Sequence, residues 1–240
     1  MFENLDTFLV GIAIGIRFRN NFNILDNFGY ITDLILFSKN SLFGPDIFPK
    51  LSTNLSEQRI LINEDTEDKM VFDKANAILE INFGEGKQFN NNDLSNLIDA
   101  YNEKIINGVL SDLSVTRILR VGFIRKYEFD DEQLIKSFLD RTTGNETKNI
   151  QDISLRFSRR ISVGESLTKR DKNDYKNVIY TISKNIEQEH KLNVAIDYQR
   201  FYEPNLSTST QIKFFKFVKA VDEYNSSNFS SWLRNYFKEA

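Results

Sequence analysis

The chain has no cysteine and a single histidine, His190. A disulfide framework, a cysteine-ligated zinc site, an iron–sulfur cluster and a thiol nucleophile are therefore excluded. A Ser-His-Asp triad has only His190 to draw on, and that residue follows Glu187 and Glu189 in what reads as a surface turn. Prolines number three and glycines ten in 240 residues, too few for long linkers or low-complexity tracts. No apolar run is long enough to span a bilayer, and Glu3 and Asp6 precede the first one where a signal peptide needs positive charge. Together with the missing cysteines, this predicts a cytoplasmic protein without a membrane segment.

What is abundant is phenylalanine, 21 residues against one tryptophan. Hydrophobic content of 40% and charged content of 27% are ordinary for a globular protein, and the length can bury a substantial core. The net charge of −3 conceals an asymmetry. Residues 1–112 carry nine Lys and Arg against seventeen Asp and Glu, a balance of −8, and the remainder carries 22 against 17, or +5. A basic second half suits an acidic partner or simple attraction to the first half.

The stretch from Phe8 to Arg19 alternates strictly. Phe8, Val10, Ile12, Ile14, Ile16 and Phe18 are large and apolar, while Gly11, Ala13 and Gly15, then Arg17 and Arg19, take the other side. This is a strand with one face in a core, and its glycines predict a close approach on the opposite face or a bend. A similar strand follows about 107 residues later, Val115 to Phe129, in which Gly122 matches Gly15.

After the first strand, Asn20-Asn21 or Asn23 caps a helix reaching about Ser38, and residues 39–55, with Pro45 and Pro49, read as an irregular loop pinned by Phe43, Ile47 and Phe48. Strands 58–63, 69–73 and 76–83 follow, the first two joined by the acidic hairpin tip Glu64 to Asp68. An amphipathic helix then runs from Asn91 or Asn92 to Val109. The second half repeats this order: strand 115–129, helix 131–140, a polar turn at 142–149, strands 152–163, 178–186 and 192–202, and helices 208–224 and 228–238. The expected class is α+β: two similar β-α-β-β-β-α halves, residues 1–112 and 113–240, with antiparallel sheets covered by helices on one face and a C-terminal helix added. The alternative is one continuous sheet with no repeat.

Three constellations bear on chemistry. Arg156, Arg159 and Arg160, with Lys169, Arg170 and Lys172, form the densest basic stretch. Arg156 and Arg160 share the polar face of one strand, so Arg156, Arg160, Lys169 and Arg170 are the candidate contacts for nucleic-acid phosphates or an acidic protein. Aromatics for base stacking are missing from that strand face, since Phe157 points the other way. Asp73, Glu85 and Lys87 match the sparse carboxylate-and-lysine pattern of metal-dependent nucleases, but Glu85 and Lys87 sit in a glycine-flanked turn. Glu64, Asp65, Glu67 and Asp68 lack the calcium-loop spacing. Gly11-x-x-x-Gly15 and Gly84-x-Gly86 match no phosphate-binding loop. No catalytic residue, metal ligand or cofactor is assigned.

The duplicated element order resembles the TATA-binding-protein fold, in which two related halves form a saddle, though no wedge phenylalanines can be placed here. The whole chain also resembles a sporadically distributed family of bacterial proteins of about this length with no assigned activity. That resemblance rests on Phe48-Pro49, on the strand Ile118-Leu-Arg-Val-Gly-Phe-Ile-Arg125, and on Ala195-Ile-Asp-Tyr198 followed by two closing helices. The chain departs from it in lacking a mid-chain Arg-Tyr-x-Asn. The patchy distribution implies genes of bacterial defence or mobile-element loci. The leading expectation is thus a non-enzymatic interaction protein with a protein partner, met through the aromatic C-terminal helices or the small-residue face of the first strand. Nucleic-acid binding by the second half comes next, and a metal-dependent nuclease or hydrolase third.

Overall fold

The computed structural model describes residues 2, 4–36, 48–50, 58–83, 91–143, 152–162, 175–185 and 190–237. Its strands are β1 (Leu9–Phe18), β2 (Phe48–Lys50), β3 (Gln58–Ile62), β4 (Lys69–Asp73), β5 (Asn76–Asn82), β6 (Thr116–Phe129), β7 (Asp152–Ser162), β8 (Tyr175–Asn185) and β9 (Leu192–Thr208). They form one sheet in the order β2-β3-β4-β5-β1-β6-β9-β8-β7, and every pairing is antiparallel. The class is α+β as the patterning predicts. The strands make a single continuous sheet, not two, because β1 and β6 pair with each other at its centre.

Alternation decides which side chains enter the core. Ile12, Ile14 and Ile16 of β1 lie beside Ile81, Leu79 and Ala77 of β5 and beside Arg125, Phe123 and Val121 of β6. The same face continues through Val194, Ile196 and Tyr198 of β9 and Ile182, Tyr180 and Val178 of β8. These apolar residues join the buried residues of the helices in one hydrophobic cluster. The helices are therefore gathered on this inner face.

Helices α1 (Asn23–Asp26) and α2 (Phe28–Leu36) replace the single helix expected after β1. Phe22 is the cap position, and just before it the Asn21 side-chain oxygen accepts from the Asn23 N–H at 3.0 Å. In the expected loop at 39–55, Phe48–Lys50 instead pairs with β3 as an edge strand. Only an edge tolerates Pro49, which has no N–H for a second neighbour; Phe43 and Ile47 lie outside the described residues.

Helix α3 spans residues 91–112 and widens to a π-helix over Asn102–Val109. Gly108 sits where α2 crosses it: a Cβ there would lie 2.9 Å from Leu34 Cδ2. Helix α4 (Glu132–Thr143) starts at Asp131, whose carboxylate accepts from the Gln133 and Leu134 N–H groups.

The two closing helices expected at the C-terminus are one uninterrupted helical run, α5 (residues 214–237), with a π segment at Asn225–Phe229. The polar Asn225-Ser-Ser-Asn228 reads as a break. The hydroxyls of Ser226 and Ser227 instead donate to the Asp222 and Glu223 carbonyls, at 3.0 and 2.5 Å, supporting backbone groups that a π turn loosens. Tyr127 donates to Asn225 Oδ1 at 2.9 Å. Beyond it Phe229 and Trp232 stack on Tyr180, with centroids 5.3 and 4.4 Å away. No described helix is long and apolar enough to cross a membrane.

A candidate nucleic-acid interface on the open face of the sheet

The opposite face carries the other half of each alternation, and the register fixes its layout. One row runs from Arg17 of β1 to its partner Arg120 of β6 and on to Phe201 of β9. At its far end Tyr175 of β8 pairs with Ser162 of β7. The next row runs Gly15, Gly122, Gln199, Asn177, Arg160. A third holds Ala13, Ile124, Asp197, Ile179 and Ser158, and Arg156 lies beyond it opposite Thr181. From β1 to β7 this field is roughly 19 Å wide, at about 4.8 Å per strand.

Two of its arginines are held by rings. The Arg160 guanidinium lies 3.6 Å from the Tyr175 ring centroid. Tyr175 stacks on Phe201 with centroids 4.5 Å apart and planes 12° from parallel. Arg120 lies over the Phe201 ring at 5.6 Å. Stacking occupies the flat face of a guanidinium and leaves its N–H edge for an oxyanion such as phosphate. The aromatics that β7 lacks are supplied by β8 and β9, from positions that only the strand order brings beside Arg160.

Among the described residues, none of Arg17, Arg120, Arg156 and Arg160 forms a salt bridge. Two lysines of the same face do: Lys69 and Lys126 meet Glu80 at 3.3 and 3.8 Å. Among the described residues, the carboxylate amid the arginines is Asp197. Its Oδ2 accepts from Gln199 Nε2 at 2.5 Å. Asn177 Nδ2 donates to Gln199 Oε1 at 3.4 Å, and the Ser158 hydroxyl donates to Asn177 Oδ1 at 2.9 Å. Burial raises the Asp197 carboxyl above its ordinary range, while the Gln199 hydrogen bond and the charges of Arg120 and Arg156 pull it back.

Arg156 and Arg160 thus lie together on the exposed sheet face, as the alternation predicts. Lys169 and Arg170 lie outside the described residues, as do Lys172, Glu85 and Lys87. Asp73 is engaged by its own turn: Oδ1 accepts from the Ala75 N–H at 2.6 Å, and both oxygens accept from Asn76 Nδ2. Asp68 caps the neighbouring strand by accepting from the Asn82 N–H at 2.7 Å. His190 is exposed at the turn into β9. Among the described residues no group of three or more His, Asp or Glu is placed to hold a metal ion.

The surfaces expected to meet a protein partner are differently placed. Phe229 and Leu233 of α5 are fully buried, and Trp232 packs on Tyr180. At Gly11 the close approach comes from within the chain, since a Cβ would stand 3.0 Å from the Ile81 carbonyl oxygen. Arg17, Arg120, Tyr175, Phe201 and Gln199 complete the face. Sequence spacing does not single them out, because four strands contribute them.

No protein-family model and no curated protein matches the chain. Among solved structures, the chain is similar to a TBP from Methanococcus jannaschii at 7% identity and a TM-score of 0.28, over 97% of each chain. That similarity is too low to speak for fold or function.

Proposed function

We propose that this chain is a non-enzymatic binding protein that holds nucleic acid on the open face of its sheet. Arg17, Arg120, Arg156 and Arg160 are the phosphate contacts on this face; Lys169 and Arg170 are proposed as further contacts from the sequence alone. The observation that carries this reading is the Arg160–Tyr175–Phe201–Arg120 stack. It orders two cations that form no salt bridge among the described residues, on a face the core does not use. The overall acidity does not oppose it, because the excess of carboxylates belongs to residues 1–112.

The test is fluorescence anisotropy of a labelled single-stranded oligonucleotide against salt. The four arginines alone give a log–log slope of roughly −3. No binding at low salt and micromolar protein would end this reading.

A protein partner is the second reading, favoured by Phe22, Tyr30 and Phe215, large apolar side chains left exposed. Its test is co-purification from the native host. A place in a defence or mobile-element locus follows from family resemblance alone, and the identity of the neighbouring genes tests it. We propose also that residues 1–112 and 113–240 are two copies of one unit. The strand orders β1-β5-β4-β3 and β6-β9-β8-β7 support this; a failure of the two halves to superpose over those strands would count against it.

A further inference from the structure

Gly15 and Gly122 face each other at the centre of the open face, and packing requires neither of them. A Cβ at Gly15 would meet Ile78 Cγ1 at 3.7 Å, and one at Gly122 would meet Asp197 Oδ1 and the Gly15 carbonyl at 3.9 Å, all ordinary contacts. Neither glycine adopts a left-handed φ. What the pair leaves is a patch of bare backbone, walled by Ile78 on one side and by Asp197 and Gln199 on the other. Arg17 and Arg120 stand one same-face step along their strands, roughly 7 Å away.

Asp197 is the residue a plain phosphate site would not choose, since its charge repels what the arginines attract. Gln199 occupies Oδ2, and Oδ1 is directed toward the glycine patch. An ionised carboxylate only accepts hydrogen bonds, so its ligand must bring donors. Guanine is the nucleobase whose Watson–Crick edge carries two adjacent donors, N1–H and the N2 amino group. Adenine and cytosine pair one amino group with an acceptor there, and thymine has one N–H between two oxygens.

Resting on the nucleic-acid reading above, we propose that the Gly15–Gly122 patch seats an unpaired guanine base. Its Watson–Crick edge donates to Asp197 while Arg17 and Arg120 hold the flanking phosphates. The preferred ligand is single-stranded, because pairing would hide that edge.

The test compares two labelled thymidine oligomers, each about eight nucleotides long, with one central guanine or one central adenine. The guanine oligomer should bind at least about fivefold tighter to the natural chain. Asp197→Asn should bring the ratio to one. Gly122→Val, which fills the seat on a strand that favours β-branched residues, should do the same. Arg120→Gln should weaken both oligomers alike and keep the ratio. Salt-dependent binding with a ratio within twofold for the natural chain would overturn the guanine seat and leave the arginine face standing. No binding of either oligomer would overturn both. If Asp197→Asn tightened both equally with the ratio intact, Asp197 would be a counter-charge only, and the seat would again fall.

Discussion

Arg160 and Tyr175 sit on adjacent strands with the guanidinium 3.6 Å from the ring centroid, while the ring is also stacked on Phe201. The ring is thereby sandwiched, and Arg160 loses side-chain freedom before any ligand arrives. A binding surface whose cations are already ordered loses less entropy on association.

Replacing Tyr175 with Leu should therefore weaken oligonucleotide binding without removing a charge. An exposed cation–π contact is worth about 0.5–1 kcal/mol, so affinity should fall by about two- to fivefold with an unchanged salt slope. Arg160→Gln should also reduce the magnitude of the slope, by about 0.7. Anisotropy titrations at several salt concentrations separate the two effects. Equal affinity for Tyr175→Leu and the natural chain would show that the ring does not prepare the arginine.

A second arginine has the opposite environment. Arg125 points from the centre of β6 into the helix-covered core, only 4% exposed, and pairs with Asp6 at 3.1 Å and with Asp222 of α5. The carboxylates lie at the rim, 41% and 48% exposed, so the desolvated charge is the arginine's. Removing both carboxylates as Asp6→Asn/Asp222→Asn would strand it, and should cost about 3–5 kcal/mol of unfolding free energy. Arg125→Met leaves two carboxylates that water can reach and should cost clearly less. Urea denaturation measures both, and the reverse order would mean that the carboxylates carry the burden.

The strands were readable because each turns its apolar side chains to one face: β1, β3, β4, β5 and β7 start and end within about a residue of where alternation places them. Helix–helix boundaries were not. Ser226 and Ser227 have poor helix propensity, and only their hydroxyl bonds to carbonyls one turn back show why the helix continues. The site was half legible for a related reason. Arg156 and Arg160 share a face by period alone, but Arg17, Arg120, Tyr175 and Phe201 join them through pairings as distant in sequence as β1 with β6. Asp197 lies in the Ala195–Tyr198 segment, where alternation places it opposite the core, yet nothing local shows that arginines surround it.

At the crossing of α2 and α3, Gly108 leaves little room for even one methyl group. Its Cβ would lie 2.9 Å from Leu34 Cδ2 and 3.3 Å from the Glu103 carbonyl oxygen. Overpacking of this kind costs about 1–3 kcal/mol, against a helix-propensity gain from Gly to Ala of about 1 kcal/mol. Gly108→Ala should thus be neutral to moderately destabilising. In the Leu34→Ala background the same change should become stabilising. A double-mutant cycle by denaturation reads this coupling, and strict additivity would refute the contact.

Asp197→Asn offers a test of the open face that needs no ligand. Burial lifts the folded-state carboxyl above its ordinary range, with Gln199, Arg120 and Arg156 only partly offsetting it. As pH rises past about 4, the unfolded chain releases this proton while the folded chain retains it. Raising the pH therefore favours unfolding, and stability falls through that window and stays lower above it. Asparagine carries no such proton and keeps an oxygen to accept from Gln199 Nε2. Subtracting the two proteins' melting temperatures at each pH cancels the other carboxylates. The natural chain should lose ground to Asp197→Asn between about pH 4 and neutrality. The opposite trend would mean that attraction to Arg120 and Arg156 outweighs desolvation, and that the carboxylate contributes to holding the arginines in place.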